Sequence, residues 1–146
     1  MKKKKLLSTA VMMALFSIGT HAGTVGRFHF LAYAKGQHLT YYTQLADQHC
    51  VSSATGLPAS FSAIDNTLKL AAQDKDDATR PCFYQESYYI VNVYADAALS
   101  EKIAKVKFRN RSRLRWLPII LSHKVDVSTD KLDSDNYKVI FGPAKT

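Results

Sequence analysis

The sequence predicts an all-β chain: a small antiparallel β-sandwich or barrel of about seven or eight strands, at most one short helix, and one disulfide. Three observations lead there. Runs of alternating apolar and polar residues, rich in Tyr, Phe, Val and Ile, recur every ten to fifteen residues or so. Clusters of Gly, Pro, Asp and Ser punctuate them. A helical period competes with the strand period at only two places.

Phe28–Ala34 is the first candidate strand, broken by Lys35-Gly36, and His38–Gln44 follows closely enough to pair with it as a hairpin. Leu45–Phe61 carries Ser52-Ser53, Gly56 and Pro58 and reads as a loop around Cys50. Thr67–Ala72 alternates as a short strand, although Ala63–Ala72 with Ser62 as cap also suits a helix. Gln73–Pro81 is charged and polar, a surface loop by composition. Cys82–Ala95 is the strongest strand, with Tyr84, Glu86, Tyr88, Ile90, Asn92 and Tyr94 on one face, and its second half reads as buried on both faces.

Within Leu99–Phe108, Leu99, Ile103 and Val106 fit a helix, but Lys105, Lys107 and Arg109 alternate with Ala104, Val106 and Phe108, which favours a strand in the second half. Arg113–Leu121 and Lys124–Ser128 are further strands; Pro118 places the former at an edge or bulge, because proline cannot donate to a ladder. Asp130–Asn136 is an acidic turn and Tyr137–Phe141 the last strand.

Residues 1–22 have the layout of a cleaved signal peptide: Lys2–Lys5, an uncharged run from Leu6 to Ile18, then Thr20-His21-Ala22 with small residues at the −3 and −1 positions. The apolar run of 13 residues is short for a membrane span, which needs about 20. The expected product is a single β-domain, residues 23–146, exported to the periplasm or secreted by a bacterium. Removing four lysines and no acids lowers the net charge from +8 to +4, so the basicity of the whole chain does not argue for a nucleic-acid partner.

Cys50 and Cys82 are the only cysteines, and an oxidising compartment would join them. The loop closed holds 33 residues, worth roughly 3.5–4 kcal/mol by the chain-entropy relation.

The unusual motif is Arg109-Asn110-Arg111-Ser112-Arg113-Leu114-Arg115-Trp116. Arginines at every second residue of an extended chain all face one way. From Ser100 to Lys124 there are eight Lys or Arg against one Glu, whereas Gly23–Leu99 has five basic against seven acidic residues. Guanidinium suits bidentate contact with carboxylate, sulfate or phosphate. Lys107, Arg109, Arg111, Arg113, Arg115 and Trp116 are therefore the candidate ligand-binding residues. The partner they imply is an anionic glycan, a lipid headgroup or an acidic protein surface. The competing reading is a solvated hairpin whose charges protect a sheet edge or pair with the Asp74-Asp76-Asp77 and Asp130-Asp133-Asp135 loops.

No G-x-S-x-G, H-E-x-x-H or glycine-rich phosphate loop occurs, the histidines lack zinc spacing, and the chain has two glutamates, Glu86 and Glu101. Neither a catalytic residue, a metal site nor a cofactor is assigned. The expected function is a non-enzymatic binding module using the basic hairpin. The first alternative is an interaction or inhibitor protein acting through tyrosine-rich faces (eight tyrosines). Further alternatives are a small secreted hydrolase and a fimbrial-type subunit, the latter weakened because Tyr137–Thr146 lacks a terminal strand with a penultimate Tyr.

Overall fold

The computed structural model describes residues 25–63, 66–111 and 115–144, and in them every regular element is a strand. The strands are β1 (Val25–Ala32), β2 (Tyr41–His49), β3 (Val51–Thr55), β4 (Ser60–Phe61), β5 (Asn66–Ala72), β6 (Ser87–Tyr94), β7 (Lys102–Asn110), β8 (Trp116–His123), β9 (Val125–Asp133) and β10 (Asn136–Ala144). They form two five-stranded sheets, β3-β5-β1-β10-β9 and β4-β2-β6-β7-β8, packed as a sandwich. All pairs are antiparallel except β1 with β10. Residues 1–22, expected to be a signal peptide, lie outside the described residues.

The strand count is ten among the described residues, above the seven or eight expected. The extra strands come from Leu45–Phe61, read as loop but holding the end of β2, all of β3 and β4. A single residue, Cys50, separates β2 in one sheet from β3 in the other, and its positive φ of 54° makes the corner. Small polar residues that read as turn are strand here because edge strands need little apolar content: β3 and β4 both lie at sheet edges. The expected hairpin of Phe28–Ala34 with His38–Gln44 does not form, since β1 and β2 belong to opposite sheets. The central strand starts at Ser87 rather than Cys82, because Arg80–Gln85 is taken up in turns. Its pattern is alternately buried and half-buried, so one face only is core.

The period-two pattern places the core between the sheets. Phe28 and Phe30 of β1, Leu68 and Leu70 of β5, and Val139 and Phe141 of β10 face Val91, Val93, Val106, Phe108 and Trp116 across it, all fully buried. Phe28 and Phe108 meet with ring centroids 4.3 Å apart. Each such side chain contributes roughly 1.5–3 kcal/mol through burial.

Polar groups fasten the layers. The Tyr41 hydroxyl of the second sheet donates to the Gly142 carbonyl of the first at 2.7 Å, wholly buried. The Cys50–Cys82 disulfide, Cα atoms 5.8 Å apart, holds the sheet-crossing corner to the Gln73–Gln85 loop. The Cys50 carbonyl accepts from Ser87 Oγ at 2.7 Å and from the Gln73 amide at 3.0 Å, which leaves that strained corner with its acceptor satisfied.

Candidate functional site

β7 carries Lys105, Lys107 and Arg109 at alternate positions, and their neighbours Ala104, Val106 and Phe108 are core. The three cations therefore point away from the sandwich. Register fixes what stands beside them. On β6, Asn92 is opposite Lys105, Ile90 opposite Lys107, and Tyr88 opposite Arg109. On β8, Leu117 is opposite Arg109 and Ile119 opposite Lys107, while Ser122 is opposite Lys105 after a bulge.

Glu86 enters this face from the chain just before β6. Its Oε1 accepts from Lys107 Nζ at 3.1 Å, and its Oε2 lies 3.3 Å from Arg109 Nε, an ion pair without a directed hydrogen bond. Lys107 Nζ also stands 4.9 Å from the centroid of the Tyr88 ring, whose other neighbour is the His49 ring, stacked at 5.5 Å. Burial against these neighbours, then the Asp47 carboxylate that accepts from its hydroxyl, pushes the Tyr88 phenol above its ordinary range. Farther along, Tyr94 hydroxyl bridges Asn92 Nδ2 at 3.3 Å and Gln44 Oε1 at 3.4 Å. The buried Asn92 Oδ1 has no hydrogen-bond partner among the described residues.

The arginine row is not one strand face. β7 ends at Asn110, so Arg111 and Arg115, both exposed, lie beyond the ladder and Arg109 on it; Arg113 lies outside the described residues. Among the described residues no ion pair engages Lys105, Arg111 or Arg115.

Trp116 is corrected from ligand contact to core. It is fully buried, its ring edge-on to Phe28 at 6.5 Å, and it packs where Gly26 of β1 has no side chain: a Cβ there would come 2.6 Å from its Cγ. It follows the arginines directly in sequence, but alternation gives it the face opposite to theirs, that of Ala104, Val106, Phe108 and its ladder partner Asn110, all of them buried.

No family of proteins, no curated protein and no solved structure matches this chain.

Lys75, in the loop read as surface, is buried at 5 % exposure and donates to both the backbone carbonyl and Oδ1 of Asn110 at 2.7 Å each. Its loop, tied to the Cys50 corner through Cys82, meets the end of β7 through this lysine, which composition assigns to solvent. Burial lowers its pKa from the usual 10.5 to about 8, the nearby Glu86 carboxylate opposing the shift. Lys75 thereby holds the base of the basic hairpin from beneath.

On the opposite sheet, His29 is gripped by both ring nitrogens, Nδ1 with Thr67 Oγ1 at 2.9 Å and Nε2 with Asn136 Oδ1 at 2.7 Å. These residues come from β5, β1 and β10, so the contact is a clamp across three strands. No group of three metal-ligating side chains occurs among the described residues.

The sequence signal for the β7 face was present in the alternation of Lys105, Lys107 and Arg109. The aliphatic partners on β8 were concealed because Leu117–Leu121 is a continuous apolar run apart from Pro118, in which periodicity marks no face.

Proposed function

We propose that this chain is an exported, non-enzymatic binding module that engages an anionic partner through the outer face of the second sheet. The observation that carries the reading is the row Lys105, Lys107 and Arg109 on one face of β7, extended by exposed Arg111 and Arg115 beyond its end and opposed nearby by the carboxylates of Glu86, which contacts Lys107 and Arg109, and of Asp47 beside Tyr88. Edge protection alone calls for charge on an edge strand, and β7 is internal to its sheet. Export is supported by the N-terminal layout in the sequence and by the disulfide.

The tyrosine reading converges partly on the same place. Tyr88 and Tyr94 lie on the basic face and supply ring surface beside the cations, whereas Tyr41, Tyr89 and Tyr137 are buried in the sandwich. Aromatic contact is thus an accessory to charge in this arrangement.

Heparin chromatography tests the reading. Replacing Lys105, Arg111 and Arg115 together by Ala should lower the salt concentration needed for elution and leave the thermal midpoint unchanged, since contacts of exposed charges are screened by salt. Identical elution of variant and wild type would overturn it.

A further inference from the structure

We infer that the partner of this face is an anionic lipid surface, with Leu117, Ile119 and Leu121 entering the headgroup boundary while the β7 cations meet the phosphates; this rests on the proposal that the face binds anions.

The register supplies the argument. Arg109 stands directly opposite Leu117 and Lys107 directly opposite Ile119. The ladder then shifts, Lys105 pairing with Ser122 and Val106 with Ile120, so Leu121 is the additional residue of a bulge. Period two carries Leu117, Ile119 and Leu121 to the outer face together, and the bulge resets the alternation after them. The outcome is an aliphatic stripe on β8 lying flush beside a cationic stripe on β7. Leu117 is 43 % exposed and Leu121 47 %, on a strand at the rim of its sheet.

A purely charged ligand, such as a soluble sulfated chain, would leave this aliphatic stripe in water. A protein partner adding a strand to β8 meets an edge already closed at its start. The Trp116 amide donates to Asp135 Oδ1 at 2.6 Å, and Pro118, two residues on, has no N–H to offer. A lipid interface matches both stripes at once, because its phosphates lie immediately above the start of the acyl layer. Lysine and arginine stems can run along neighbouring aliphatic surface and hold their heads at phosphate level. Lys107 over the Tyr88 ring adds an aromatic side chain of the kind that settles at such boundaries.

The experiment is co-sedimentation of the protein with vesicles of phosphatidylcholine alone or mixed with phosphatidylglycerol. Leu117→Ser with Leu121→Ser, and Leu121→Ala alone as a milder change, are compared with wild type, and thermal midpoint and heparin elution are measured on each. Wild type should pellet with the anionic vesicles and stay in solution with the neutral ones. The double variant should lose about tenfold in vesicle affinity and Leu121→Ala a smaller part of it, with heparin elution unmoved. Wild type retained by heparin yet indifferent to anionic vesicles overturns the lipid inference and leaves anion binding standing. Vesicle binding undiminished in a folded double variant overturns the role of the stripe. Failure of wild type on both matrices removes both readings.

Discussion

The backbone amide of Trp116 donates to the carboxylate of Asp135 across the gap between the two sheets, 2.6 Å from nitrogen to Oδ1. Asp135 sits in the two-residue turn joining β9 to β10 with φ of 60°, buried at 6 % exposure, and its own carbonyl accepts from the Arg27 amide at 2.7 Å. One residue thus ties together β1, β8 and the last hairpin, and it occupies the donor that an edge strand would otherwise present to another chain.

Asp135→Gly keeps the turn conformation and deletes the carboxylate, so it isolates this contact. The expected loss is about 1–3 kcal/mol, the cost of leaving a buried donor unpaired, read as a lower denaturation midpoint in urea. Asp135→Asn, which retains an acceptor and tolerates positive φ, should lose less.

Gly26→Ala should destabilise by about 1–3 kcal/mol, the usual cost of overpacking, because its methyl would fall 2.6 Å from Trp116 Cγ. The same methyl would lie 2.8 Å from Trp116 Cβ, an atom fixed by the β8 backbone, so rotation of the indole gives no relief, and thermal denaturation should show a lower midpoint for the variant.

Stability should climb as pH rises from about 8 toward 10. Lys75 releases its proton near 8 in the folded protein and near 10.5 once unfolded, so within that window the unfolded chain holds more protons and folding gains with pH. Above the ordinary phenol value of 10, Tyr41, Tyr89 and Tyr137, whose pKa values are raised chiefly by burial, reverse the trend because the folded state keeps their protons. The thermal midpoint should therefore peak near that crossover, and Lys75→Met should flatten the climb.

Glu86→Gln releases Lys107 and Arg109 from the carboxylate that both now contact at 3.1 and 3.3 Å. Elution from heparin should move to higher salt, by an amount comparable with removing one opposing charge. An unchanged or earlier elution would show that the β7 row does not face the ligand. With the ion pairs only partly buried, the stability change should stay below about 1 kcal/mol.

Replacing Cys50 and Cys82 together by Ser should cost roughly 3.5–4 kcal/mol for the open 33-residue loop. It should also loosen the segment that carries Lys75, so amide exchange at Asn110 and Arg111 should quicken ahead of the β6 core amides.

Alternation alone disclosed the strand-rich architecture, the outward set Lys105, Lys107 and Arg109, and the edge position that Pro118 demands of β8. The pairing of Cys50 with Cys82 followed from there being no third thiol. With Ala104, Val106 and Phe108 inward, alternation also sets Trp116 on the face opposite the arginines, and its place directly after them in the chain masks this. The end of β7 at Asn110 leaves Arg109 as the one described arginine of the row on the ladder. The allocation of β2 and β3 to different sheets, the burial of Lys75, and the matching of an aliphatic stripe to a cationic one were all settled by contacts between residues far apart in the chain. Local composition carries no record of such contacts, because their free energy exists only when the two layers have closed on each other.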